Sequence, residues 1–349
     1  MTPAAASETR VHDLDAASEA RWDAFVAGCP EATFFHKAGW KRVVESSFGH
    51  DARFLYAERA GTIAGVLPLV HVRSRLFGDS LVSGAFAVYG GPAAGDEDAR
   101  AALIARAVQL ADELDVDHIE LRGGAPADPA WHVRADLYVT FRKALEADPE
   151  KNMLAIPRKQ RAMVRKGIKA ELAGVVDDGV DRLHRVYAES VRNLGTPVFP
   201  KRYFRALQAT FGGDCQVVTV ESGGAAVASV MSFFFRDEVL PYYGGGTARA
   251  RELAANDFMY WDVMRRAVED GRRLFDFGRS KHGTGSFAFK KNWGFEPTPL
   301  RYGFRLRRGV AVPDVSPLNP KYRLFIKAWK RLPLPVANLI GPWIVRGLG

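Results

Sequence analysis

The sequence predicts an α/β fold made twice: two α+β copies, each a mixed sheet with flanking helices. Hairpin, glycine turn, helix and strand recur in the same order and at similar spacing in the two halves. A basic segment of helical period stands between those halves. The length of 349 residues also favours two domains over one core.

The first copy opens at Phe34-Phe35-His36-Lys37-Ala38-Gly39-Trp40, an aromatic-rich helix start leading into Phe48-Gly49. A strand over 53–59, a turn at Ala60-Gly61 and a strand over 63–72 make a hairpin. Tyr89-Gly90-Gly91-Pro92 then interrupts the chain before a helix near 98–114 and a strand over 118–122 that ends in Gly123-Gly124. The second copy repeats this order. A helix over 200–210 ends at Phe211-Gly212-Gly213, and strands over 216–221 and 226–235 flank a turn at Ser222-Gly223-Gly224. Tyr242-Tyr243-Gly244-Gly245-Gly246, a helix over 256–270 and a strand over 274–277 complete it. Domains are therefore expected over 1–150 and 151–310, with a basic amphipathic tail over 311–349.

The second domain opens with the basic segment, 156–169. Pro157 suits a first helical turn, and Ile156, Met163, Val164, Ile168 and Leu172 fit one face. Arg158, Arg161, Arg165 and Lys169 cover another, with no acid before Glu171. Cations so crowded repel one another unless an anion visits, so Arg158, Arg161 and Arg165 are candidate phosphate contacts. A solvated face is the plain alternative.

The most informative run is Phe275-Asp276-Phe277-Gly278-Arg279-Ser280, followed by Phe287-Ala288-Phe289-Lys290-Lys291-Asn292-Trp293-Gly294-Phe295. It reads as a buried strand ending in Asp and Arg, a glycine loop at Gly283 and Gly285, then an aromatic segment with a lysine pair. Charged groups delivered to a strand end by a loop are how many α/β proteins make a site. Aminolysis of an ester or thioester passes through an oxyanion, and Lys290 is the group placed to meet it. Asp276 is a candidate proton acceptor, with anchoring of its own loop as the alternative. Arg279 and Ser280 suit a phosphate or carboxylate. Tyr242 and Tyr243 are either cleft residues or core.

Composition narrows the chemistry. Hydrophobic content of 47% and charged content of 26% are ordinary for a globular protein. The net charge of +9 and pI near 9.6 point to an anionic partner. Two cysteines, Cys29 and Cys215, read as buried small hydrophobes, and no metal-ligand spacing or G-x-S-x-G elbow occurs. The first 21 residues carry acids and no apolar core, and no stretch is long enough to span a membrane. A cytoplasmic location is expected, with peripheral contact at the inner face of the cell membrane left open. That contact would come from the tail, where Lys321, Arg323, Lys327, Lys330 and Arg331 interleave with Phe325, Trp329 and Trp343; an amphipathic helix docked on the protein's own surface is the alternative.

The tandem repeat, the basic helix and the F-D-F-G-R-S…F-K-x-x-W-G-F pattern resemble the FemAB family of aminoacyl and peptidyl transferases, within the GNAT superfamily. The likeness runs from about Ala32 to Phe304 and is nearest to the subgroup that accompanies exosortase-type exopolysaccharide systems. It implies tandem GNAT-like acyltransferase domains and transfer of an acyl or aminoacyl group to an amine. By the same resemblance, Phe289-Lys290 matches the family's aromatic-lysine pair, whose lysine stabilises the tetrahedral intermediate. Lys37 and Trp40 match a first-domain substrate position, and Lys201-Arg202-Tyr203 a basic-aromatic contact region. No cofactor is implied beyond the donor as co-substrate: aminoacyl-tRNA, acyl-CoA or acyl carrier protein, with a lipid-linked acceptor among the candidates. Gly244-Gly245-Gly246-Thr247 departs from the GNAT pyrophosphate loop, which counts against acyl-CoA. A non-catalytic membrane scaffold is the remaining alternative.

Overall fold

The computed structural model describes residues 8–313 and 322–349. The chain divides into two compact units, one of Met1–Asp136, Leu300–Asp314 and Gly347–Gly349, the other of Leu137–Pro299 and Val315–Arg346. Expected boundaries at 150 and 310 follow chain order; the compact units do not, because one strand of each comes from outside its own stretch of sequence.

In chain order the elements are β1 (Arg10–Asp13), α1 (Glu19–Gly28), α2 (Gly39–Phe48), β2 (Asp51–Arg59) and β3 (Thr62–Ser74). Next come β4 (Gly78–Ser83), β5 (Ala93–Ala94), α3 (Glu97–Glu113), β6 (His118–Arg122) and β7 (His132–Ala144). The chain continues through α4 (Pro149–Ala155), α5 (Arg158–Lys169), β8 (Ala173–Asp177), α6 (Asp181–Leu194), α7 (Lys201–Phe211) and β9 (Cys215–Ser222). Then follow β10 (Ala225–Phe235), β11 (Glu238–Gly246), α8 (Ala248–Leu253), α9 (Ala255–Glu269), β12 (Leu274–Asp276) and α10 (Gly285–Asn292). β13 (Pro297–Leu306), α11 (Arg323–Trp329) and α12 (Leu334–Val345) complete it.

The repeat is real at the level of strand pairing. The first unit runs β1-β2-β3-β4-β6 and the second β8-β9-β10-β11-β12, each with three antiparallel steps and then one parallel step. Both expected hairpin turns put two consecutive residues in the left-handed region, Ala60-Gly61 at φ 48 and 78 and Gly223-Gly224 at φ 56 and 77. That conformation matches the right-handed twist of the strands it joins. The sixth strand of each sheet was not legible as such. In the first unit it is the end of β13, Tyr302–Leu306, antiparallel to β6. In the second it is the end of β7, Arg142–Ala144, antiparallel to β12.

The second unit's core includes Phe141, Val164, Val230, Phe258, Met259, Phe275, Phe277 and Trp293. Strand β11 passes so close to its helices that only glycine fits. A Cβ on Gly245 would lie 2.5 Å from Cβ of Ser190 on α6, and one on Gly246 2.6 Å from Cβ of Ala250 on α8. The three glycines therefore serve packing, and α8, of six residues, follows them directly. Cys29 and Cys215 are buried free thiols, as expected.

Candidate active site

The site is made where two parallel strands part. β11 pairs with β12 only at Glu238↔Leu274 and Val239↔Phe275, then runs on to Gly246. Beyond β12 the chain instead follows β7, with Ser280 exchanging backbone hydrogen bonds with Val139 at 2.9 and 2.8 Å. Gly278 sits in the bend with φ 65, a conformation that a side chain would strain. A wedge thus opens between Tyr242–Gly246 and Phe277–Ser280.

Helix α10 fills one side of it, and local chemistry explains its limits. The Thr284 hydroxyl accepts the Phe287 N–H at 3.3 Å as N-cap, and Gly294, at φ 78, ends the helix after Trp293. Trp293 is fully buried and its ring N–H donates to Asp257 Oδ1 at 3.0 Å. Gln160 on α5 donates to the same oxygen at 2.5 Å. One carboxylate on α9 therefore ties the basic helix to the helix that bears Lys290, and burial raises its pKa.

Lys290 lies at the turn that follows β12. Its Nζ donates to the carbonyl oxygens of Gly278 at 3.1 Å and Arg279 at 3.0 Å, and lies 5.7 Å from the Phe141 ring. Burial pushes the amine down to about 7, with Asp276 opposing and Arg279 assisting that shift. An ammonium has three donors, so one remains beyond the two carbonyls. Phe289 lies beside Tyr260 and Phe277, with ring centroids 5.5 and 6.3 Å away. Arg279 stacks its guanidinium 4.6 Å from the Tyr138 ring. The Ser280 hydroxyl is buried with no hydrogen-bond partner among the described residues.

Asp276 requires a correction. Its side chain is 0% exposed, and its Oδ1 accepts the Gly278 N–H at 2.6 Å and the Thr140 hydroxyl at 3.2 Å. Arg142 approaches its Oδ2 at 3.4 Å and also pairs with Glu238. An enclosed carboxylate that holds its own turn is a loop anchor, not an accessible base. Glu238, hydrogen-bonded to Asp276, is raised to about 7 by burial and by that neighbouring charge.

Several other expected contacts are core. Tyr243 and Tyr203 share a 2.8 Å hydrogen bond between their hydroxyls inside a cluster with Phe199 and Phe204, and burial raises both. Strand alternation turns Tyr243 inward and its neighbour Tyr242 outward. Tyr242 lines the wedge: a Cβ on Gly278 would sit 3.8 Å from its ring. Of the two tyrosines offered as cleft residues, Tyr242 is the one that faces Gly278, and Tyr243 is core. Arg202 is exposed on α7. Trp40, in the first unit, is fully buried with its ring N–H on the Ala85 carbonyl at 3.1 Å, while Lys37 lies 5.7 Å from the Phe34 ring.

On α5, Arg158 and Arg165 are exposed and Arg161 donates to the Leu154 carbonyl at 2.8 Å. Gln160, Val164 and Gly167 form the buried face. Ile168, expected among them, is 47% exposed, because Gly167 makes the close approach to α9 instead. Two cavities open elsewhere: one of about 340 Å³ lies among Asp112, His118, Arg305 and Arg307, another of about 460 Å³ among Asp177, Arg205 and Gln208. Neither includes Lys290.

At the corresponding place in the first unit a cavity of about 260 Å³ is lined by His36, Tyr89, Gly91, Arg122 and Gly124 among others. A Cβ on Gly91 would lie 2.1 Å from the Gly123 carbonyl, and the Gly91 N–H bonds to Arg122 at 3.1 Å. The two backbones approach closely beside this cavity, and among the described residues no helix stands between β6 and β7.

A parallel split in a mixed sheet with a lysine at its mouth fits acyl transfer. A family model described as the acetyltransferase (GNAT) domain matches residues 155–291, within the second unit, and this makes the protein an acyltransferase. Its fold is the tandem GNAT-like arrangement. The crystal structure of FemX superposes with a TM-score of 0.68 at 14% identity, covering 91% of this chain and 100% of that one. The C-terminal domain of an Agrobacterium fabrum protein named for lysylphosphatidylglycerol synthetase gives 0.59 at 14% identity, over 83% of this chain and 92% of that one. A tandem GNAT protein from the clavulanic acid biosynthesis pathway gives 0.52 at 14% identity, over 88% and 100%. At such identities the likeness is one of fold. No curated protein matches the sequence.

Proposed function

We propose that the protein joins an activated acyl or aminoacyl group to an amine on a cell-envelope or exopolysaccharide-related acceptor, with Lys290 facing the oxyanion. The observation that carries this is the Lys290 amine held on the Gly278 and Arg279 carbonyls at the parting of β11 and β12. The acceptor amine attacks the donor carbonyl, a C–N bond forms, and the carbonyl oxygen takes the negative charge beside the ammonium. Collapse breaks the C–O or C–S bond, and the proton lost by nitrogen ends on the departing oxygen or sulfur. Asp276 and Arg142 hold the turn, and Tyr242, Tyr260 and Phe289 form the wall against which the donor lies. Arg279 and the α5 arginines Arg158, Arg161 and Arg165 suit a phosphate-bearing donor, aminoacyl-tRNA or the carrier of an acyl group. Likeness in fold to FemX and to the Agrobacterium fabrum protein supports an aminoacyl donor. The exosortase-associated subgroup is the reading that the motif resemblance supports for the acceptor.

A second reading has a specific observation behind it. With its pKa near 7, Lys290 is partly neutral at physiological pH, and a neutral amine accepts the acceptor's proton. Acyl-CoA is the alternative donor; the glycines of β11 are occupied by packing against Ser190 and Ala250, which disfavours a pyrophosphate there.

The test is a binding and turnover screen of the purified protein against aminoacyl-tRNA, acyl-CoA and acyl carrier protein, repeated with Lys290→Ala. Saturable binding of one donor, with turnover that the variant loses, is the expected result. No binding to any of the three, or turnover that Lys290→Ala leaves unchanged, overturns the assignment.

A further inference from the structure

The last two helices carry an apolar face that the fold leaves bare. α12 is apolar apart from Asn338. Ala337, Gly341 and Val345 form its buried side, where a Cβ on Gly341 would lie 2.9 Å from the backbone nitrogen of Val198. Val336, Leu339, Ile340 and Trp343 follow the i, i+3, i+4, i+7 spacing of one helical face and are exposed, Leu339 at 74% and Trp343 at 75%. α11 is held by buried Trp329, whose ring N–H donates to the Thr196 carbonyl at 3.2 Å, while Leu324 is 80% exposed. Leu194 adds to the patch: it precedes Gly195, where a Cβ would meet Ile326 of α11 at 2.6 Å.

Charge states the occupant. Arg323, Lys327, Lys330, Arg331 and Arg346 are all exposed around these residues, and the sequence has no Asp or Glu after Asp314. We propose that α11 and α12 dock in the plane of an anionic lipid surface, with Leu339, Ile340 and Trp343 entering the headgroup layer and the cations resting on lipid phosphates. α12, of twelve residues, is too short to cross a bilayer, and no helix among the described residues is long and apolar enough to do so. A second copy on this face is disfavoured, because a two-fold contact would set the cations against themselves. The inference rests on these two helices alone and is independent of the role given to Lys290.

Full-length protein is mixed with phosphatidylcholine vesicles, with or without about 30% phosphatidylglycerol, at low and physiological salt, and sedimented. Binding is expected to the anionic vesicles only, to weaken with salt, and to fall about tenfold or more in Leu339→Asp/Trp343→Asp. Both replaced residues are exposed, so the variant is expected to keep the wild-type melting curve. A milder variant, Trp343→Ser, is expected to show an intermediate loss. Absence of binding to anionic vesicles, or equal binding by the double variant, overturns the proposal. So does concentration-dependent self-association that the double variant abolishes while vesicles leave both proteins in solution, since the face then belongs to a second copy.

Discussion

The Lys290 amine lies 3.1 Å from the carbonyl oxygen of Gly278, so a side chain of helix α10 closes the turn that follows strand β12. The same contact keeps the amine out of bulk water and leaves one N–H directed away from the backbone. Position and lowered pKa have one cause, burial beside a bend that only glycine accommodates comfortably.

Lys290→Ala is expected to reduce turnover about 100- to 1000-fold, the range seen when an oxyanion donor is removed, with the melting curve retained. Single-turnover kinetics beside a melting curve checks both halves of this statement.

The pH profile separates the two roles of Lys290. If the ammonium serves the oxyanion, its contribution is present below pH 7 and declines as pH rises through about 7. If the neutral amine is the base, activity rises through the same range. Lys290→Arg, charged throughout, keeps activity and loses the decline in the first case; it is inactive in the second. Rates measured from pH 5.5 to 9 on both proteins, about the span over which such a group titrates, distinguish them.

Glu238 makes a separate stability prediction. Its folded pKa, about 7, lies above the ordinary 4.5, so the folded state binds more protons between those values. The stabilisation is complete below pH 4.5 and lost as pH rises through 7. Glu238→Gln, which keeps the protonated shape beside Asp276 and Arg142, is expected to flatten that fall. The gain at pH 8 is on the order of 1–3 kcal/mol, read by urea unfolding at several pH values.

Asp257→Ala strips both Gln160 and the Trp293 ring of their shared acceptor. Buried donors left unpaired cost about 1–3 kcal/mol each, so a clear drop in stability is expected, with turnover reduced because α10 loses its tie. Asp257→Asn keeps an acceptor oxygen and is expected to recover most of the loss in thermal melts.

Gly245→Ala places a methyl 2.5 Å from Cβ of Ser190 and is expected to destabilise by about 1–3 kcal/mol. Paired with Ser190→Gly, the loss is expected to shrink, giving a favourable coupling energy in a double-mutant cycle. Additive effects would show that the Gly245–Ser190 contact is not what the methyl disturbs.

How much was legible follows the range of each interaction. The hairpins at Ala60-Gly61 and Gly223-Gly224, helices α3 and α9, and the strand before Gly278 are written in turn residues and apolar period over a few neighbouring positions. Asp276, Arg279, Ser280, Phe289 and Lys290 were found as one group because they are close in sequence. The sequence by itself determined these elements, their repetition and the run that supplies the candidate site. Tertiary structure alone decided that β13 completes the first sheet and β7 the second, since strand partners far apart in the chain carry no local signal. It also decided that Tyr242 and not Tyr243 lines the wedge, that Asp276 is an anchor, and that Trp40 and Tyr203 are core. In each case the side chain's role depends on which face the sheet presents and what packs there, and that is set by contacts distant in sequence.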